Sequence, residues 1–203
     1  MIAIIDFDIG NLAAISNMLH RIGARSTITS DPGIIAAADR LILPGNGAFD
    51  ACMRNLISTG LLPLLEQRVL RDQTPLLGIC VGAQMLGNCS EEGNHAGLGW
   101  LNFDVIRFPQ SPGFPVPHMG WNDVEPVNSS PLIGSLPQGS RFYFVHSYYF
   151  SPADPADVVL RSDYGLQFAA AVGRRNIAGV QFHPEKSHRF GKTLLHNFAL
   201  GTH

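Results

Sequence analysis

Short, unbroken apolar runs, each followed within a few positions by a turn and a stretch of helical period, set the strongest limit on how this chain can fold. Residues 2–7, 40–43 and 75–79 are too short for helices and lack the polar alternation of a half-exposed strand. That is how strands read when both faces of a sheet are covered. With 25–29 as a further strand and helical period over 11–22, 48–56, 62–70 and 81 to about 87, the first half predicts a doubly wound, mostly parallel α/β sheet. After Trp100 the pattern changes to short strands broken by Pro and Gly, at 105–108, 141–150, 158–161 and a hairpin over 166–180. These predict an antiparallel extension of the same sheet. Residues 109–117 hold four prolines but are too few to separate two domains, so 1–203 is expected to be a single domain.

Composition narrows the function classes. With 45% hydrophobic and 15% charged residues the chain has the material for a buried core, and a net charge of −2 without a basic stripe argues against nucleic acid as a partner. The cysteines, Cys52, Cys80 and Cys89, are three in number and not closely paired, so neither a disulfide framework nor a zinc site is expected. A reducing, cytoplasmic setting fits them. The N-terminal apolar run is short and meets Asp6 and Asp8, without a basic segment or cleavage site, and no stretch reaches membrane-spanning length.

The chemistry concentrates at Thr74-Pro75-Leu76-Leu77-Gly78-Ile79-Cys80-Val81-Gly82-Ala83-Gln84. A strand ends at Cys80 and a helix starts directly after it, the strand, sharp turn and helix of a nucleophile elbow. Gly78 and Gly82 flank the cysteine where such a turn leaves no room for side chains. Gly-x-Cys-x-Gly arises by chance in a chain this long only about a few per cent of the time. The helix start favours a thiolate and leaves the Val81 N–H free to bind an oxyanion. Cys52 and Cys89 lack that setting and read as small apolar fillers on helix faces.

A cysteine nucleophile needs a base, and eight histidines compete. His183 ends the apolar run 178–182 and precedes Pro184-Glu185. In an extended backbone, residues two apart project to one side, so Glu185 can hold one imidazole nitrogen while the other faces the thiol. His118 and His146 also adjoin apolar segments but have no carboxylate two residues on, and read as structural or pocket-lining. His20, His95, His188, His196 and His203 read as solvated or capping, and no histidine pair has metal-ligand spacing on one helix. The Pro44-Gly45-Asn46-Gly47 turn follows a strand and precedes a helix, and can aim N–H groups at developing negative charge. It lacks the Lys-Ser ending of a nucleotide-binding P-loop.

Together, Pro44-Gly45-Asn46-Gly47, Gly78-Ile79-Cys80-Val81-Gly82-Ala83-Gln84 and Phe182-His183-Pro184-Glu185-Lys186-Ser187 resemble the class I, triad-type glutamine amidotransferases, and within them the glutaminase subunits of imidazole glycerol phosphate synthases. Supporting segments are Ser90-Glu91-Glu92-Gly93, Pro117-His118-Met119-Gly120-Trp121-Asn122, Tyr143 to Tyr148 and Asn176 to Gln181. The resemblance implies a Cys80, His183 and Glu185 triad, an oxyanion hole from Val81 and the Asn46-Gly47 turn, and glutamine held by Gln84, Glu92, Ser147 and Tyr148. It also implies a β/α-barrel cyclase partner with Asn11 and Lys186 near it, and no metal or organic cofactor.

Two positions depart from the family pattern. Asn46 stands where a small aliphatic residue is usual, so its side chain can compete for hydrogen bonds in the oxyanion turn. Ala83 replaces a longer Met, which implies a roomier wall behind the nucleophile. Other readings are a related branch that supplies ammonia to sugar-modifying synthases of surface polysaccharide, an inactive scaffold on the same fold, and a cysteine hydrolase of peptides or esters. The intact Cys80, His183 and Glu185 set speaks against the scaffold, and the polar Gln84 and Glu92 against the peptidase.

Overall fold

The computed structural model describes residues 1–201. His203, expected to be solvated or capping, lies outside them. In chain order the elements are β1 (Ile2–Ile5), α1 (Leu12–Arg21), β2 (Ser26–Thr29), α2 (Pro32–Ala36), β3 (Arg40–Leu43), α3 (Phe49–Ser58), α4 (Leu62–Glu66), β4 (Leu76–Ile79) and α5 (Val81–Gln84). There follow β5 (Phe103–Arg107), β6 (His118–Asp123), β7 (Glu125–Pro126), β8 (Arg141–His146), β9 (Tyr148–Pro152), β10 (Val158–Asp163), β11 (Gln167–Arg174), β12 (Ile177–Val180) and α6 (His188–Leu200).

Strands run β2-β1-β3-β4-β12-β11-β10-β7 across one ten-stranded sheet, with β9 joining at β11 and β5 at β9. The first five are mutually parallel, and every residue of β1 and β4 is buried. Their continuous apolar character is therefore what a sheet covered on both faces requires. The strand order reverses between β1 and β3, which makes a topological switch point, and the loops after β1, β3, β4 and β12 all leave on the sheet's carboxyl edge, where open α/β sheets place their sites. The α6 helix buries Phe190, Leu194, Leu195 and Phe198 along one stripe and packs against α1.

Several expectations change. The run expected as one strand over 141–150 is split at Ser147 into β8 and β9, and β8 leaves the main sheet to pair with β6 in a separate two-stranded ribbon. The extension is thus antiparallel but only partly of the same sheet. Helical period over 62–70 resolves into α4 and one wider π turn, Gln67–Arg71, closed by Asp72 N–H on the Gln67 carbonyl at 3.0 Å. The helix after Cys80 is a single turn. Leu86 and Gly87 close it with tighter i→i−3 bonds, because the chain must pass under Phe103, whose ring would meet a Cβ at Gly87 at 2.5 Å.

The β11–β12 hairpin decides where the second half of the site goes. Its tip residue Asn176 donates through Nδ2 to the Val69 and Thr74 carbonyls, each at 2.9 Å, and accepts the Leu76 N–H. These bonds lock β12 parallel to β4 with Val180 opposite Ile79. The chain therefore leaves both strands at the same height. Among the described residues no helix is long and apolar enough to cross a membrane.

Candidate active site

Cys80 sits at the end of β4 with φ 55° and ψ −117°, a left-handed conformation that costs a non-glycine residue on the order of 1–3 kcal/mol. The fold holds it there from both sides. Its N–H donates to the Val180 carbonyl at 2.8 Å, and its carbonyl accepts from Ala83 and Gln84 at 3.0 and 3.1 Å. The expected tightness around the flanking glycines is real: a Cβ on Gly78 would lie 2.6 Å from the Ala83 Cα, and one on Gly82 2.1 Å from the Leu43 carbonyl. Ala83 is buried against Gly78 and Gly179, so the space expected behind the nucleophile is filled by sheet backbone instead of opening a cavity.

The Val81 N–H has no backbone partner among the described residues. Across from it, the Pro44 to Gly47 turn abuts the elbow backbone on backbone, a Cβ on Gly45 falling 2.2 Å from the Gly82 nitrogen. The Asn46 carbonyl accepts from the Cys52 thiol at 3.2 Å. Burial pushes that thiol up to about 12, which keeps it a protonated donor. Since a trans peptide sets C=O and N–H in opposite directions, the Gly47 N–H points away from Cys52. The Asn46 side chain is exposed and has no hydrogen bond among the described residues, so the expected competition within the turn does not occur. Cys52 is a buried filler on α3 as expected, whereas Cys89 is exposed and lies on a loop, not a helix face.

His183 leaves β12 beside Cys80. Its Nδ1 meets Glu185 Oε1 at 2.8 Å, with both side chains buried, which leaves Nε2 for the sulfur. Burial pulls the imidazole down, but hydrogen bonding to Cys80 and Glu185, and their charge, outweigh it and raise the pKa to about 9. Among the described residues Glu185 Oε2 is buried without a partner, so His183 is there the carboxylate's one hydrogen-bond partner. The turn is pinned to β8: His183 N–H donates to Tyr143 O at 2.9 Å, while Ser187 Oγ donates to the His183 carbonyl and accepts from Tyr143 N–H.

A cavity of ≈ 580 Å³ opens in front of the cysteine, lined by Asn11, Asn46, Gly47, Cys80, Val81, Gln84, Glu92, Ser147, Tyr148, His183 and Lys186 among others. It brings together every residue expected in the triad, the oxyanion hole, the glutamine pocket and the partner face except Glu185, which stands behind His183. Glu92 accepts from the Phe49 N–H at the start of α3, and burial raises its carboxyl above the ordinary range. The loop carrying it is held by Asp50, which accepts from the Asn94 and His95 N–H groups, and a Cβ on Gly93 would lie 1.9 Å from that carboxylate. On the opposite wall His146 donates from Nδ1 to the Tyr148 carbonyl at 2.7 Å. Its Nε2 then accepts from His118 Nδ1 at 2.9 Å, and His118 Nε2 from Asn122 at 3.3 Å. Burial lowers both rings, to about 4 for His118 and about 3 for His146, so the chain of neutral rings keeps one direction.

From sequence, Asp50, Ser187, Asn176 and Gln181 carry no assigned role, and His146 carries the structural or pocket-lining one that its place in the cavity wall matches. Ser187, Asn176 and Gln181 stand inside the motifs quoted above, which is the available signal; Asp50 has none. Among the described residues no group of three or more His, Cys, Asp or Glu could hold a metal ion.

A strained cysteine at a strand end, a histidine fixed by a buried glutamate, and a paired glycine turn over the elbow define an acyl-transfer site of the amidotransferase class. The chain matches the family Glutamine amidotransferase class-I over residues 3–202, and it belongs to that family. It is 49% identical over 198 residues to Imidazole glycerol phosphate synthase subunit HisH 2 of Pseudomonas aeruginosa, covering 98% of both chains. It is 48% identical, with the same coverage, to the subunit of that name from Methanococcus maripaludis. Among solved structures, a glutamine amidotransferase superposes with a TM-score of 0.76 at 19% identity, covering 98% of this chain and 96% of the other. PurLQS from Thermotoga maritima superposes at 0.73 and 18%, covering 97% and 96%. At those identities the likeness is one of fold.

Proposed function

We propose that the chain is the glutaminase subunit of an imidazole glycerol phosphate synthase, a single cytoplasmic domain that hydrolyses glutamine and hands the ammonia to a β/α-barrel cyclase bound as a heterodimer. The observation that carries this reading is the Cys80, His183 and Glu185 set facing a polar cavity, on a chain nearly half identical to HisH subunits over 98% of its length.

The Cys80 thiolate attacks the side-chain amide carbon of glutamine, and the resulting oxyanion is held by the Val81 and Gly47 N–H groups. With its pKa near 9, His183 carries the proton that leaves with ammonia as the C–N bond breaks. Acylation of the sulfur then removes the negative charge that held the imidazole up, while burial still pulls it down. His183 thereby becomes the base that takes a proton from water, which attacks the thioester and releases glutamate and the thiolate. Gln84 Oε1, buried and unpaired among the described residues, and the Glu92 carboxylate offer acceptors to the substrate's ammonium group, with Ser147 and Tyr148 also lining the cavity. Asn11 and Lys186 line the cavity, the Lys186 ammonium lies over the ring of Tyr143, which pairs with exposed Trp121 of β6, and this is the face that the cyclase would cover.

Glutamate release by wild type and by Cys80→Ala, each alone and with a histidine-pathway cyclase carrying its nucleotide ligand, tests the proposal. Activity that rises with the liganded partner and vanishes in Cys80→Ala is expected. Cys80-dependent release that ignores this cyclase would move the partner to the sugar-modifying synthases, and peptide or ester cleavage without glutaminase would end the amidotransferase reading. A second expectation concerns the Glu92 loop. Asp50→Ala should raise KM for glutamine roughly tenfold while kcat stays within about twofold, because it frees a ground-state binding group and no reacting atom. Steady-state kinetics with the partner present would read it.

A further inference from the structure

Gln181 has no exposed surface and lies between two residues of the site. Its Oε1 accepts from Gln84 Nε2 at 3.1 Å, and its Nε2 faces Cys80 Sγ at 4.0 Å. Gln84 Nε2 also reaches the Tyr148 carbonyl at 3.4 Å. A side-chain amide has two ends that differ chemically, and both acceptors around Gln84 Nε2 demand an N–H. Gln84 Oε1 is then forced to the other side, and it is buried with no partner among the described residues. An unmet buried acceptor costs about 1–3 kcal/mol and persists where a ligand satisfies it.

We infer that Gln181 is a positioning residue that sets the orientation of the Gln84 amide, so that its oxygen receives the substrate's ammonium group, and that presents its own N–H to the Cys80 sulfur. The two functions cannot be separated in the wild type. Turning the Gln181 amide over would place an N–H against the Gln84 N–H and an oxygen against the thiolate, so each contact fixes the other. This assignment rests on the glutaminase reading, but half of it is testable without turnover.

Other titratable groups around the sulfur are His183 and Glu185 after β12, His146 on β8, Tyr148 on β9, Cys52 on α3, Glu92 on its loop and Lys186 in the cavity wall. Gln181→Met changes none of them. Alkylation of Cys80 by iodoacetamide across pH, on the isolated chain, should show its midpoint raised by about one unit in Gln181→Met, since the thiolate loses a donor. Glutamine hydrolysis with the liganded cyclase should show KM raised roughly tenfold in Gln181→Met and in Gln84→Met. In the double variant KM should rise no further than in Gln84→Met, whereas the alkylation midpoint should stay raised. Fully additive KM effects, or an unchanged midpoint, would overturn the assignment. If Gln181→Met loses its folded circular dichroism, Gln181→Leu is read by the same cycle. Should wild type fail to hydrolyse glutamine with any partner, the glutaminase reading fails while the alkylation result still judges the contact to the sulfur.

Discussion

His183→Ala is expected to lower turnover of glutamine by on the order of 10⁴-fold, while leaving the rest of the cavity formed. The loss is large because one imidazole serves three needs. In the proposed mechanism it balances the thiolate, delivers the proton to departing ammonia and takes one from water, and among the described residues His146 is the one other histidine that lines the cavity. His146 is nearby, but its Nδ1 is committed to Tyr148 and its Nε2 to His118. Substitution also strands Glu185, whose carboxylate is buried with His183 as its hydrogen-bond partner, so stability should fall as well. The linkage has a definite sign. The folded pKa of about 9 lies above the ordinary 6.5, so this stabilisation is complete below about pH 6.5 and disappears as pH rises through about 9. Glutamate release with the liganded partner and thermal melts from pH 6 to 10 would measure both. A loss of turnover under about tenfold would remove His183 from the mechanism.

Gly82→Ala is expected to damage stability and activity together. A Cβ there would sit 2.1 Å from the Leu43 carbonyl and 2.7 Å from that of Pro44. Both are backbone atoms at the end of a central strand, so no side chain can swing aside. Overpacking of this kind costs about 1–3 kcal/mol, which for a chain of this size lowers Tm by roughly 3–10 °C. Relief comes by parting the Pro44 to Gly47 turn from the elbow, which separates the Gly47 and Val81 N–H groups that would hold the oxyanion. A fall of at least about 100-fold in kcat is expected. Gly47→Ala is the control, because its φ of 79° penalises a side chain but no atom lies within 4 Å of a Cβ. It should cost on the order of 1 kcal/mol with no steric parting of the loops. Equal effects of the two substitutions would show that backbone contact is not what couples turn to elbow.

Much of the site was legible along the chain because its parts are local. A strand that stops at Cys80 between two glycines, and a histidine followed by proline and glutamate, each carry their geometry within five residues. Departures from the family pattern were legible as identities but not as consequences. Ala83 turned out to be packed on the sheet glycines, and Asn46 points its side chain outward, because each lies on a face that only neighbouring backbone defines. The split at Ser147 was hidden for a similar reason: an apolar run continues through it, while the strand changes partners from β6 to β5.

The sequence by itself determined the class of fold and the strand-turn-helix elbow that holds Cys80 between two glycines, since hydrophobic period, glycine position and residue chemistry are properties of contiguous segments. Only the tertiary structure decided that His183 stands beside Cys80, that Gln181 reaches back across 97 positions to Gln84, and that Glu92 meets α3. The first two of those meetings depend on the register of β12 against β4, which is set by the Asn176 bonds at a hairpin tip. A slip of one residue would turn every side chain of β12 to the other face, and no local pattern in the chain encodes which register closes.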